Sequence, residues 1–163
     1  MATAGKNLSE YDLNTIPNAE HMVFGIVVSE WNYHITGNLL SGAKETLLTH
    51  GAKAAHIHVY HVPGSFELPL GAQWLIEDKQ VDGVIALGSV IQGETKHFDF
   101  VCDGVTQGCK DVMLKFGKPV IFGVLTDNTE QQAIDRSGGT HGNKGIECAV
   151  AAIKMIALKK GIH

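Results

Sequence analysis

The sequence predicts an α/β protein in three layers, with helices covering both faces of a parallel sheet. Two patterns predict it. Short runs rich in Val and Ile alternate with helix-length segments along the chain. Most of those runs are apolar on consecutive residues, as strands covered on both faces are. Composition agrees: 163 residues suffice for one core, and 44% hydrophobic against 18% charged residues excludes a disordered chain.

Residues 1–21, MATAGKNLSEYDLNTIPNAEH, are polar and lack an apolar signal core, so they are expected to form an arm. Residues 22–163 are expected to form one domain. Its strands are Met22–Ser29, Ala55–His61, Gly83–Val90 and Pro119–Leu125. The first helix spans Tyr33–Gly51, where Ile35, Leu39, Ala43 and Leu47 repeat every four residues and Gly51 provides the stop. Phe66–Glu77 is shorter. His97–Phe116 is the clearest helix: Phe98, Val101, Cys102, Val105, Cys109, Val112, Met113 and Phe116 keep the 3.6-residue period, and Gly117 ends it. A short helix over Glu130–Ser137 and a long one over Asn143–Lys160 flank the string GGTHG. Four strand–helix units with right-handed crossovers give a flavodoxin-like sheet of order 2-1-3-4.

Net charge is −4, which favours neither nucleic acid nor an anionic membrane. No run approaches the roughly 18 apolar residues of a membrane span. Cys102, Cys109 and Cys148 form no CxxC pair and are odd in number, so neither a disulfide framework nor zinc is expected, and a reducing cytoplasm fits. His56 and His58 share a strand face, but His61 has opposite parity and no acidic ligand adjoins them, so no metal is expected.

Sheets of this kind bind ligands beyond the carboxyl ends of their strands. Four loops begin there. Trp31 and Asn32 follow the first strand; the indole either stacks on a flat heterocycle or closes the core rim. VPGSFELP follows the second, placing Ser65, Phe66 and Glu67 at a helix start. Glu67 there either accepts from a polyol or simply complements the helix dipole. Val90 and Ile91 lead into QGETKHF, where Gly93 permits close approach, Glu94 and Thr95 shape the turn, and Thr95 is a candidate cap. Its free amides suit an anion, and His97 is either a proton carrier or structural. The fourth loop begins at Thr126. Further on, Arg136 and Lys144 flank the GGTHGN turn and either grip phosphate or face solvent. Lys144 and Glu147 stand i,i+3 and form a candidate ion pair.

Together these segments resemble the lumazine synthase family. The strings are GIVVSEWN, VPGSFELP, ALGSVIQGETKHFDFV, PVIFGVLT, EQQAIDR and HGNKGIECA, collinear from about Val23 to Leu158. The resemblance implies a transferase of riboflavin biosynthesis. It condenses 5-amino-6-(D-ribitylamino)uracil with L-3,4-dihydroxy-2-butanone 4-phosphate into 6,7-dimethyl-8-ribityllumazine, without cofactor or metal. It implies that Trp31 stacks on the pyrimidine, with Asn32 beside it. Ser65, Phe66 and Glu67 then hold the ribityl chain, and the Val90 and Ile91 backbone flanks the uracil. Gly93, Glu94 and Thr95 form the phosphate-side turn, and His97 is the acid/base. Phe122 reaches the site from a neighbouring subunit, Arg136 binds phosphate, and Lys144 and Glu147 form a charged pair near it.

The resemblance also implies a homo-oligomer: a pentamer, with twelve pentamers in an icosahedral 60-mer shell in many members, and riboflavin synthase as a candidate cargo. Pentamer-only members often carry an insertion between the last two helices. Here Arg136–Lys144 is short and contains Gly138, Gly139 and Gly142, which favours the shell. The arm is then expected to add a strand to a neighbour's sheet. Two positions depart from the family pattern: Glu30 and Gln92 stand where Arg, or Arg and Lys, are usual. Lys96 is a candidate replacement for the lost charge. A flavin or lumazine binder, an archaeal-type riboflavin synthase and a purely structural shell are the alternatives; intact His97 and Arg136, and the GSFELP and HGNKG strings, favour the synthase.

Overall fold

The computed structural model describes residues 7 and 9–161. Four strands form one parallel sheet of order β2-β1-β3-β4: β1 (Phe24–Ser29), β2 (Ile57–Val62), β3 (Gly83–Ile91) and β4 (Val120–Asp127). This is the expected order. β1 is buried throughout and β3 over its first seven residues. β2 lies at an edge and is half-exposed over most of its length. It starts two residues later than expected because Ala54–His56 forms a 3-10 turn.

Alternation of side chains along each strand divides the core in two. Ile26, Val28, Ile85, Leu87 and Leu125 face α1 (Tyr33–Thr49) and α5 (Lys144–Lys160). Val27, Val84, Ala86 and Val124 face α2 (Leu68–Lys79) and α3 (His97–Phe116). The short α4 (Glu130–Arg136) contributes Ala133 to the first of these clusters.

Local chemistry sets the ends of the helices. α2 begins after a 3-10 turn, Ser65–Glu67, with Pro at its second position, and runs two residues beyond the expected end. α3 has the expected bounds, and Gly117 closes it in the left-handed region. Its N-cap is Lys96, not Thr95; the Thr95 hydroxyl accepts only a long bond, 3.4 Å, from His97 N–H. At α4, Thr129 Oγ1 accepts from Gln132 N–H, and Gln132 Oε1 accepts from Asn128 and Thr129 N–H. The expected break at GGTHG is instead an antiparallel ribbon of β5 (Ser137–Gly139) and β6 (Gly142–Asn143).

Ahead of β1, the described residues contain no strand. They lie along their own chain: Ile16, Ala19 and Met22 are buried in the α1/α5 core, and Ala19 N–H donates to His50 O.

Candidate functional site

The site grows from the ends of three adjacent strands. As β1 ends, Glu30 N–H donates to Val62 O and Trp31 N–H to Pro63 O, so the first two loops leave the sheet together. Asn32 then adopts a left-handed conformation, φ 57°, which asparagine tolerates better than most residues. Its side-chain Nδ2 donates to Ser89 O at 3.1 Å, tying the first loop to the end of β3. The Thr36 hydroxyl donates to Ser29 O at 2.7 Å and fixes the first turn of α1 against β1.

Two glycines let the second loop settle. A Cβ on Gly88 would lie 2.6 Å from Ser65 Oγ and 2.9 Å from Leu68, and one on Gly104 of α3 would overlap the Phe66 ring. Because both lack a Cβ, the Ser65–Glu67 turn packs down between β3 and α3. Glu67 Oε2 accepts from Gly64 N–H at 3.0 Å, which holds the turn and leaves the other carboxylate oxygen free of it.

A cavity of about 670 Å³ results. Of the expected site residues, Trp31, Asn32, Ser65, Phe66, Glu67, Val90, Ile91, Gly93, Thr95 and His97 line it. Five further residues do so: Gly64, Ser89, Phe98, Phe100 and Val101. Phe98 and Val101 were legible only as part of the helix stripe. Phe100, 70% exposed, stands off that stripe, and an aromatic on the wrong face of a helix was the available signal. Trp31 is 72% exposed, with its indole on the cavity wall and free to stack.

The third loop offers donors. Gln92 N–H pairs with Asp127 O, whereas the amides of Gly93, Glu94, Thr95 and Lys96 find no partner among the described residues. They adjoin the N-terminus of a 20-residue helix, a favourable place for negative charge. Gly93 is not sterically required within the chain, since a Cβ there would meet nothing within 4 Å.

Glu94, Phe122, Arg136 and Lys144 do not line the cavity. Phe122 lies in mid-β4 opposite Ala86, half-buried on the α2/α3 side. Arg136 Nη2 meets Glu147 Oε1 at 2.7 Å and Nη1 donates to His141 O at 2.8 Å. Lys144 Nζ meets Glu147 Oε2 at 3.0 Å, so the expected i,i+3 pair forms, and Glu147 holds both cations. Nearby, burial raises the Asp127 carboxyl above its ordinary value against the opposing pull of Arg136, and Asp127 Oδ2 is buried without a partner among the described residues. Burial also pushes the Cys109 and Cys148 thiols up to about 12, so they are packing groups and not nucleophiles. No group of three metal-ligating side chains occurs among the described residues.

Doubly wound parallel sheets carry their ligands at the edge where this cavity opens, and the chain is of that flavodoxin-like class. Comparison with known proteins narrows the class. Residues 21–160 match the family model described as 6,7-dimethyl-8-ribityllumazine synthase. Proteins of that name from Flavobacterium psychrophilum and Phocaeicola vulgatus are 61% and 58% identical to the chain. The first match covers 98% of this chain and 85% of the relative; the second covers 100% and 97%. The protein of that name from Cytophaga hutchinsonii is 59% identical, over 96% of this chain and 98% of its own. The chain belongs to the 6,7-dimethyl-8-ribityllumazine synthase family.

Proposed function

We propose that this chain condenses 5-amino-6-(D-ribitylamino)uracil with L-3,4-dihydroxy-2-butanone 4-phosphate. The products are 6,7-dimethyl-8-ribityllumazine, phosphate and water, and the reaction is the penultimate step of riboflavin biosynthesis. The chain is a transferase that works without a cofactor. One observation carries the reading: residues from three separate loops, each inside a family motif, line a single cavity at the carboxyl edge of the sheet.

In this reading the pyrimidine stacks on Trp31, between the backbones of Val90 and Ile91. Asn32 holds the first loop to the floor through Ser89. The ribityl hydroxyls meet Ser65, the Phe66 backbone and the free oxygen of Glu67. The phosphate of the second substrate meets the unpaired amides of Gly93, Glu94 and Thr95. The substrate amine attacks the ketone to give an imine with loss of one water, phosphate leaves, and the ring closes with loss of a second water. The substrates carry their own reactivity, so orientation and proton transfer by His97 account for the catalysis.

Phe122, Arg136 and Lys144 act in the site of an adjacent copy. Their position away from the cavity of their own chain supports this, because Arg136 binds phosphate only where a phosphate can reach it. The working form is therefore a homo-oligomer, and the short, glycine-rich Arg136–Lys144 connection supports a pentamer that builds the 60-mer shell, with riboflavin synthase as a cargo. The site of action is the cytoplasm. Among the described residues, no helix is long and apolar enough to cross a membrane.

Lumazine fluorescence, followed above the uncatalysed background, tests the reading with wild type, His97→Ala and Arg136→Ala. The expected result is acceleration that falls in both variants. Lack of acceleration by an assembled oligomer would exclude the enzyme.

A further inference from the structure

Arg136 ends α4 immediately before the β5–β6 ribbon, and its guanidinium is anchored on the carbonyl of His141 at the ribbon's tip. A ribbon of three and two residues has little stability of its own. Its conformation therefore depends on what it is tied to. His141 N–H donates to Asp135 O, and Asn143 Nδ2 donates to Asn38 O on α1.

A further tie comes from far away in sequence. Asn143 N–H, half-buried, donates to Ser9 Oγ at 2.8 Å. The Ser9 hydroxyl in turn donates to Asn7 Oδ1 at 2.8 Å, and Ser9 N–H donates to the same oxygen at 3.1 Å. The hydroxyl is thus oriented from one side and accepts from the other. Contact with the ribbon is close: Gly142 has φ +82°, and a Cβ there would overlap both Ser9 Oγ and Asn7 Oδ1. Two residues on, Tyr11 packs on the α1/α5 core and its hydroxyl meets His50 Nε2 at 3.0 Å, which moors this stretch to the end of α1.

We propose that Ser9 is a positioning residue for the anion-binding half of the site. From the N-terminal strap it fixes the ribbon whose tip holds Arg136. The proposal rests on the assignment of substrate phosphate to Arg136 made above. Ser9 touches no reacting atom. It acts through Asn143 and the His141 carbonyl, which keep the Arg136 fork aimed while Glu147 holds its other edge.

The test is steady-state kinetics of the full chain with each substrate varied in turn, on Ser9→Ala, Ser9→Thr, Asn7→Ala, Arg136→Ala and the double variant Ser9→Ala/Arg136→Ala. Ser9→Ala is expected to raise KM for the butanone phosphate roughly three- to tenfold, the effect of one hydrogen bond. KM for the ribitylaminouracil and kcat are expected to stay put. Ser9→Thr keeps the hydroxyl and restores the wild-type KM. Asn7→Ala, which loosens Ser9 without removing it, gives a smaller rise of the same selectivity and serves if Ser9→Ala does not fold. In the Arg136→Ala background, Ser9→Ala adds nothing, as expected for residues acting in series. An equal rise in both KM values, a change in Tm alone, or full additivity with Arg136→Ala overturns the proposal. If Arg136→Ala alone leaves the KM for the phosphate substrate unchanged, the assignment of Arg136 fails instead, and that result does not depend on Ser9.

Discussion

Glu147 is one carboxylate shared by two cations, and each of them depends on it. Its side chain is 21% exposed, those of Arg136 and Lys144 13% and 31%, so water screens the array only in part. Glu147→Ala leaves two half-buried cations side by side, and chemical denaturation is expected to show a loss of about 2 kcal/mol. Asp127, at the end of β4, works in the opposite sense. Burial raises its carboxyl above the unfolded value, so its contribution is favourable at low pH and is lost as pH rises through the folded value. Asp127→Asn is therefore expected to raise Tm near neutral pH and to leave it unchanged near pH 3, below the ordinary carboxylate range. An equal rise at both pH values would show a packing effect instead. His97→Ala is expected to lower kcat by about a hundredfold, the low end for general acid–base work, because the substrates supply most of the reactivity.

Among elements, the second loop depends most on a single absence of side chain. Gly104→Leu puts a branched group where the Phe66 ring lies, and overpacking of this kind costs about 1–3 kcal/mol. The ring is expected to swing into the cavity, so that KM for the ribitylaminouracil rises together with the fall in stability. Unchanged KM in a destabilised variant would mean that the loop shifts as a body. The sequence carries Gly104 in plain sight, but a glycine in a helix has several uses, and only the packed structure assigns this one. The long elements were legible because their periods persist: β1, β3 and all of α3 follow from runs of Val and Ile and from the 3.6-residue stripe. The β5–β6 ribbon was not, since SGG and GN offer no alternation and their pairing depends on positive φ at Gly138 and Gly142. Nor was the mooring of the N-terminal segment, whose buried Ile16, Ala19 and Met22 stand three residues apart around Pro17 in a stretch that forms neither helix nor strand.

At the scale of the whole molecule, strand order and cavity position followed from the sequence because crossover handedness and the switch-point rule leave few choices. Ten expected residues meet in the cavity for that reason, whereas Phe122, Arg136 and Lys144 come from segments that the same rule does not bring there, and Glu94, although in the third loop between Gly93 and Thr95, stands off the cavity wall. The outer surface bears on the proposed assembly. Phe66, Leu70 and Trp74 from the second loop and α2, and Phe100 and Leu114 on α3, are exposed apolar side chains. Exposed apolar side chains on neighbouring elements are what an interface would cover. Leu114→Glu is expected to shift the assembly towards smaller species by sedimentation, and those species are expected to show no turnover. Full activity in a monomer would refute the shared site. Cys109 and Cys148 provide a check on integrity: both are expected to resist alkylation until the chain unfolds.

The shared carboxylate of Glu147 has a kinetic consequence. Arg136, Lys144 and Glu147 sum to one surplus positive charge, while the chain as a whole carries −4. An approaching dianion is therefore repelled at long range and attracted only over the last few ångströms. Added salt screens the distant field first, within a Debye length of about 10 Å at 0.1 M. Up to that ionic strength the phosphate substrate should arrive faster, not slower, and an enzyme steered by its overall field would show the reverse.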